Sequence, residues 1–206
     1  MALVKLNNRG VRSATTFGSI SALGEMRFIK KQTASSSATI SFVDGTSDVV
    51  LDNTYKEYLF TFNNIHPETD NTHFQFQADT GTNTNYNQTM TTTWFYALNQ
   101  ESGATPELTY ATGTDQAQGT GFQTLAGNVG NANDESCSGY LHLFNPSSSV
   151  FVKHYLSRVS CYQKDNFSMD DFSAGYFNTT TALTRVQFKM SADAIDAGDI
   201  CLYGIN

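Results

Sequence analysis

The sequence predicts an all-β protein: an antiparallel β-sandwich, jelly-roll-like, that follows an extended N-terminal arm. Three observations support this fold class: a two-residue alternation of apolar and polar side chains, turn-forming clusters between the alternating segments, and an unusual composition. Charged residues make up 15% of the chain and aromatic residues 13%, where an average globular protein has about 25% charged residues. A chain rich in Phe, Tyr and Thr and poor in Lys and Glu favours strands. Its 206 residues suit one such domain.

Alternation marks the predicted strands in order along the chain. In each, one set of side chains is apolar and its neighbours are polar, which is typical of a half-buried antiparallel strand. The apolar sets are Tyr58, Phe60 and Phe62; Phe74, Phe76 and Ala78; Leu141 and Leu143; and Val186, Phe188 and Met190. Segments rich in Gly, Asn and Asp at 79–83, 113–121 and 127–133 separate them. Many strands joined by such loops indicate a sandwich rather than alternating strands and helices.

The N-terminal part of the chain is basic and the rest is acidic. Residues 1–31 contain six basic residues and one acidic residue, a charge of +5 within a total of −7, so the remainder carries −12. The basic residues are Lys5, Arg9, Arg12, Arg27, Lys30 and Lys31. We predict an arm and linker over 1–37, with 33–38 joining the arm to a body over 38–206. The arm is expected to lie on an acidic neighbour; the alternative is a set of solvated charges with no partner.

Three cysteines, Cys137, Cys161 and Cys201, do not indicate a disulfide framework, because the count is odd and no two are close in sequence. Cys161 and Cys201 occur in apolar strand patterns, where a free cysteine behaves as a small buried side chain. Neither a signal peptide nor an apolar run long enough for a membrane is evident in the sequence. These features predict synthesis in a reducing cytoplasm, and the negative net charge argues against nucleic acid as a partner.

Catalytic and metal-binding patterns are weak. The segment 66–73 contains two histidines and two carboxylates, which could bind a metal, but Pro67 and the pair Asp70 and Asn71 favour a turn between strands. Asp193, Asp196 and Asp199 precede the last strand and could pair with the basic arm, bind a cation or lie in a solvated bend. Nucleophile, phosphate-loop and dinucleotide motifs are absent. We therefore predict no enzyme activity and no cofactor or metal.

Two aromatic residues are candidates for contact with a sugar. Tyr86 and Trp94 lie near segments rich in Asn, Gln and Thr, and exposed aromatic rings beside amides are typical of glycan sites. The alternative, which the alternation over 91–99 favours, is that these rings pack in the core of a strand.

The last strand, 198–205, has apolar residues on both faces. Ile200 and Leu202 alternate with Cys201 and Tyr203, which predicts a strand inside the sheet or one covered by a neighbouring subunit. This ending, together with Met190 and the residues that follow it, resembles the ending of a group of small structural proteins of tailed bacteriophages, especially marine ones. Their last strand commonly reads Gly-x-Ile-x-Leu-Tyr-Gly-Ile.

Shorter stretches at 3–9, 58–67 and 139–147 are similar to the same group, whereas 99–135 is not. The resemblance implies a virion protein with a jelly-roll-like body, a homo-oligomer and specifically a trimer, bound to other capsid or tail proteins. It implies no catalytic residues.

We therefore expect a non-catalytic virion component, a tail fibre, another tail part or a head-surface decoration, assembled through its N-terminal arm. The first alternative is a carbohydrate-binding module for attachment to the host surface. A second is a polysaccharide hydrolase, which would need two carboxylates about 5 to 10 Å apart in a groove.

Overall fold

The computed structural model describes residues 26–104 and 106–206 and confirms the all-β prediction, with no helix in this part of the chain. The strands are β1 (Met26–Ser37), β2 (Ile40–Val43), β3 (Glu57–Pro67), β4 (Thr72–Thr80), β5 (Met90–Gln100), β6 (Glu107–Tyr110), β7 (Ala117–Gly119), β8 (Gln123–Val129), β9 (Cys137–Phe144), β10 (Lys153–Gln163), β11 (Phe167–Phe177), β12 (Leu183–Met190) and β13 (Ile195–Ile205). All of their pairings are antiparallel.

The strands form two layers that are joined at their edges. The larger layer has the order β1-β13-β3-β9-β10-β11-β5, and β5 also pairs with β6 and β7. The smaller layer has the order β8-β4-β12-β2. At one edge Gln163 of β10 pairs with Val129 of β8. At the other, the Nε2 of Gln32 in β1 donates a hydrogen bond to the carbonyl of Ser41 in β2 at 2.7 Å. The result is a jelly-roll-like sandwich that is nearly closed into a barrel.

Aromatic rings from both layers form the core. Phe60 of β3 meets Phe188 of β12 with 5.2 Å between ring centroids, and Phe62 meets Phe74 of β4 at 5.0 Å. Both contacts are edge-to-face, the geometry that aromatic pairs prefer. The alternation predicted for β3, β4, β9 and β12 is confirmed, because every apolar side chain named for those strands is buried.

The N-terminal boundary differs from the prediction. Residues 26–37, expected to be arm and linker, form β1, which pairs with β13 from Met26 opposite Ile205 to Ser37 opposite Ile195. The linker predicted over 33–38 is therefore wrong for Thr33 to Ser37, because a free edge of β13 offers their backbone groups a ladder of hydrogen bonds. Ser and Thr side chains in this stretch gave no apolar pattern from which a strand could be predicted.

The closing strand lies inside the larger layer, between β1 and β3, as predicted. Ile200 and Leu202 are fully buried on the inner face, whereas on the outer face Cys201 is 8% exposed and Tyr203 is half-buried. Gly198 has a φ of +119°, and a Cβ there would lie 2.5 Å from the carbonyl oxygen of Asn64. Only glycine fits this bend without displacing β3.

The segment after β3 is a turn, as predicted. Pro67 ends β3 and Thr72 begins β4, so residues 68–71 connect two neighbouring stretches of chain. Asn71 has a φ of +60°, a conformation that Asn tolerates well in turns. In the ranges that the structure describes, no helix is long and apolar enough to cross a membrane.

Candidate interaction surface

The outer face of the larger layer exposes more large apolar side chains than the rest of the described surface. Seven of the nine exposed large hydrophobic residues lie on it. They are Met26, Phe28, Phe95, Leu108, Tyr110, Tyr140 and Leu156. The second layer covers only the inner face, so in the described chain these side chains have no layer above them. Apolar groups gathered on one face of a soluble protein usually mark an interaction site.

Five of the outward side chains form one row across the strands. Tyr140 of β9 lies opposite Arg158 of β10, and Arg158 lies opposite Phe172 of β11. Phe172 lies opposite Phe95 of β5, which lies opposite Tyr110 of β6. We call these five residues the aromatic row. Because neighbouring strands are about 4.8 Å apart, the row is roughly 19 Å long.

The middle of the aromatic row is held by direct contacts. The rings of Phe95 and Phe172 stack with centroids 4.7 Å apart and planes 3° from parallel. The guanidinium carbon of Arg158 lies 4.9 Å from the centroid of Phe172. Arg158 also donates from Nη2 and Nε to the carboxylate of Asp170, at 2.7 and 3.0 Å. These bonds raise the pKa of Arg158. The positive charge at the centre of the row is therefore paired with the negative charge of Asp170.

One end of the row is fixed by an acid. The hydroxyl of Tyr110 donates to Asp115 Oδ2 at 2.7 Å, and this bond raises the pKa of the phenol. The ring is half exposed, at 50%, and Tyr140 at the other end is 43% exposed. Both rings therefore present an accessible face and a polar tip, the combination that suits tyrosine to interfaces.

Two shallow depressions flank the row on the same face. The first, of about 400 Å³, is mainly apolar. Its outward-facing lining comprises Thr91, Thr93, Phe144, His154, Leu156, Ala174 and Tyr176. The second, of about 340 Å³, is lined mainly by serine and tyrosine residues. Its lining includes Glu101, Ser138, Ser160, Tyr162 and Ser168. The face therefore changes along the strands from apolar, through aromatic, to hydroxyl-rich.

The predicted glycan contacts are not on this surface. Trp94 is 4% exposed and Tyr86 is 7% exposed, so burial removes both rings as direct contacts for a sugar, and this prediction is wrong. Trp94 points inward from β5, where its ring packs closely against Gly127: a Cβ added to Gly127 would lie 3.2 Å from the ring. Core packing, the alternative favoured by the sequence, holds for Trp94, which shares its side of the strand with buried Met90 and Thr92.

A buried carboxyl group lies beneath the row. Asp171 is fully buried, between Tyr96 and Val159 on the neighbouring strands. Its Oδ2 accepts a hydrogen bond from the backbone N–H of Gly127 at 3.3 Å, and its Oδ1 has no partner. Burial raises the pKa of Asp171 well above the ordinary value, an effect that the Gly127 bond opposes. An incompletely paired buried acid lowers stability at neutral pH.

The predicted arm residues divide into two groups. Lys5, Arg9 and Arg12 lie outside the described residues. Arg27, Lys30 and Lys31 lie in β1, and the Lys31 ammonium bonds to Asp199 Oδ2 at 3.1 Å. Bonds from Thr33 and Lys31 lower the pKa of Asp199. An acidic partner for Lys31 therefore exists within its own chain, on the last strand.

The other sequence candidates form no metal site in the described ranges, where no group of three or more His, Cys, Asp or Glu side chains is placed to hold an ion. The Nδ1 of His66 lies 3.6 Å from Asp196 Oδ2. His73 accepts a hydrogen bond from the N–H of Asn128 on its Nδ1 at 3.1 Å. The two histidines of the 66–73 segment therefore have separate partners.

Comparison with known proteins identifies no relative: no family model, no curated protein and no solved structure matches the chain.

The sequence alone did not predict the aromatic row. Alternation in β10 and β11 could have placed Arg158 and Phe172 on one side of their strands. Their alignment with Phe95 and Tyr110 depends on strand register, which alternation does not specify.

Proposed function

We propose that this protein is a non-catalytic structural component of a bacteriophage virion, and that copies of it associate through the aromatic row. The resemblance of the closing strand and three other stretches to small phage structural proteins supports the virion role. The row, an exposed line of aromatic and arginine side chains on the outer sheet face, supports association and is the observation on which the assembly proposal depends.

The composition of the row suits a protein interface. Tyr and Arg are enriched among the residues that dominate binding energy, and such residues cluster at the centre of a contact. Phe95, Phe172 and Arg158 are already stacked, so little side-chain freedom is lost when a partner covers them. A standard interface covers about 800 Å² on each partner, so an interface centred on a row roughly 19 Å long would also cover the depressions beside it.

The charge of the aromatic row is compatible with self-association. The chain has a net charge of −7, so two copies repel each other in general. Within the row, Arg158 and Asp170 are paired with each other, and the other row members are uncharged. Contact through the row therefore brings no unpaired charge of the row against the partner.

Association is tested by sedimentation velocity of the purified chain. We expect the wild type to sediment as a homo-oligomer, with a trimer as the specific expectation, and the Leu156→Asp variant to sediment as a monomer. Val150→Asp is the matched control, because Val150 is 68% exposed but lies in the loop before β10. A monomeric wild type, or equal loss in both variants, would contradict association through the row.

Incorporation into particles is tested separately. Mass spectrometry of purified particles should detect the chain, and a cryo-EM map should place it on the head or tail, as a decoration, a fibre or another tail part. We expect that removal of residues 1–25, which leaves β1 intact, permits folding and prevents attachment to other virion proteins. Normal incorporation of this truncated chain would exclude anchoring by Lys5, Arg9 and Arg12.

A second candidate function is glycan binding at a host surface. The observation in its favour is the position of Tyr140 beside Ser138 and Ser160 on the outer face, where an aromatic ring adjoins hydroxyl groups. A glycan array distinguishes the two functions: binding that Tyr140→Ala abolishes, in a chain that stays monomeric, would favour the carbohydrate-binding module. Absence of binding to any glycan would remove it.

A further inference from the structure

Two of the three cysteines are direct neighbours across a pair of strands. Cys137 at the start of β9 lies opposite Cys161 of β10. Both side chains are buried, with 1% and 2% exposure, and both thiols are free. They are 24 positions apart in sequence, so only the fold brings them together.

The type of pairing determines how close they are. The N–H of Tyr162 donates to the carbonyl of Ser136 at 2.9 Å, which makes 136 and 162 a hydrogen-bonded pair. The next pair along an antiparallel ladder is a non-hydrogen-bonded pair, with Cα atoms about 4.5 Å apart and side chains close together. Cys137 and Cys161 occupy that position. A separation of about 4.5 Å lies within the range of natural disulfides.

Each thiol has surroundings that keep it protonated. Burial raises the pKa of Cys137, and Asp171 raises it further. Burial also raises the pKa of Cys161, and Cys137 contributes to that rise. The Sγ of Cys161 makes a weak hydrogen bond to the Gly127 carbonyl at 3.7 Å. Oxidation should therefore be slow.

Both thiols face the space between the two layers. Cys161 shares the inner side of β10 with buried Val159, and its Sγ reaches the Gly127 carbonyl of β8, whereas Ser138 and Ser160 line the hydroxyl-rich depression on the outer face. An oxidant therefore reaches the thiols when this end of the β9–β10 hairpin opens locally. Cys201, the third cysteine, lies on β13 and is not opposite either of the other two.

We propose that Cys137 and Cys161 form a cross-strand disulfide when the protein meets a small-molecule disulfide outside a reducing compartment. The Cys161 thiolate attacks the small disulfide, forms a mixed disulfide and releases one small thiolate. The Cys137 thiolate then attacks Cys161 Sγ and releases the second. The two protons from the cysteines pass to the two released thiolates. In total, two protein thiols are oxidised and one small disulfide is reduced to two thiols.

The bond would fasten the strands that present the aromatic row. It closes the β9–β10 hairpin, which contributes Tyr140 and Arg158 to the row. Crosslinking residues this far apart in sequence restricts the unfolded chain and stabilises the fold. A thiol pair that stays reduced during synthesis and is oxidised afterwards would increase the stability of the protein after folding.

The test uses the full chain, purified under reducing conditions and then incubated with oxidised glutathione. We expect the thiol count under denaturing conditions to fall from three to one, and non-reducing peptide mapping to show a Cys137–Cys161 peptide that lacks two hydrogen atoms. The thermal unfolding midpoint should rise by roughly 5 °C and return when a reductant is added.

Two variants serve as controls. Cys201→Ser should form the same disulfide, whereas Cys161→Ser should show neither the linked peptide nor the shift in the unfolding midpoint. The proposal is overturned if the wild type retains all three thiols after prolonged incubation, or if the linked peptide contains Cys201. Both results come from the wild-type chain and do not depend on the folding of a variant.

Discussion

The two faces of the larger layer use the same strands and similar side chains but have different roles. On the inner face Phe60 and Tyr155 are fully buried and meet aromatic rings of the smaller layer. On the outer face Phe95 and Phe172 stack on each other, and Tyr140 remains 43% exposed. Aromatic content therefore does not distinguish core from surface in this protein. The distinguishing feature is whether a second layer covers the face.

This difference predicts where a substitution affects folding and where it affects association. Side chains on the inner face contribute to the free energy of folding through burial and ring contacts. Substitutions on the outer face should leave the fold largely unchanged and should alter the surface that contacts a partner. Comparisons of matched residues on the two faces test this assignment directly.

The largest effect is expected when a charge replaces a leucine of the inner face. Leu202→Asp places a carboxylate where the side chain is fully buried, and we expect a loss of at least about 5 kcal/mol, enough to prevent folding. Leu156→Asp is the matched change on the outer face, where Leu156 is 51% exposed, and should fold normally. Circular dichroism of both variants distinguishes them; equal loss of structure would contradict the assignment of faces.

The next largest effect on stability is expected from a pair of phenylalanine substitutions, one on each face. Phe60→Ala removes a ring that contacts both Phe42 and Phe188, and should cost roughly 3 to 5 kcal/mol in urea denaturation. Phe172→Ala on the outer face should cost less than half of that and should weaken self-association. If Phe172→Ala destabilises the chain as much as Phe60→Ala does, the outer face is part of the core.

The buried acid beneath the row should give a pH-dependent effect. Burial raises the pKa of Asp171 in the folded state. Protonation of its carboxyl group therefore contributes stability that is complete below the ordinary pKa of 3.8 and is lost as the pH rises through the folded-state pKa. Asp171→Asn should therefore stabilise the chain at pH 7 by roughly 1 to 3 kcal/mol. The advantage should shrink towards pH 4.

Urea denaturation of both chains between pH 4 and pH 8 measures this difference. Asp170→Asn is the control, because the neighbouring carboxylate points to the outer face and bonds to Arg158, so its replacement should not stabilise the chain at pH 7. A constant difference between Asp171→Asn and wild type at all pH values would contradict the assignment of a raised pKa to Asp171.

The smallest effect is expected at the surface pair between the first and last strands. Asp199→Ser removes the contact with Lys31, and because such exposed pairs contribute little we expect a loss of less than about 1 kcal/mol. Thermal unfolding at low and high salt measures it, and the loss should be smaller at high salt. A loss of several kcal/mol would show that attachment of β1 depends on this pair.

Much of the fold could be predicted from alternation alone. The inward sets of β3, β4, β9 and β12, the turn at 68–71 and the covered closing strand each follow from local patterns. Alternation is local because successive side chains of a strand point to opposite faces, whichever strand lies beside it. β1 could not be predicted in this way, since its Ser and Thr residues have no apolar set.

The site depended on contacts that no local pattern specifies. Lys31 and Asp199 are 168 positions apart and bond only because β1 pairs with β13. The aromatic row and the opposition of Cys137 to Cys161 likewise require the register of several strands at once. By itself the sequence determined which side chains share a face of each strand. The tertiary structure decided which face is covered and which side chains become neighbours, because antiparallel register is set between strands that are distant in sequence.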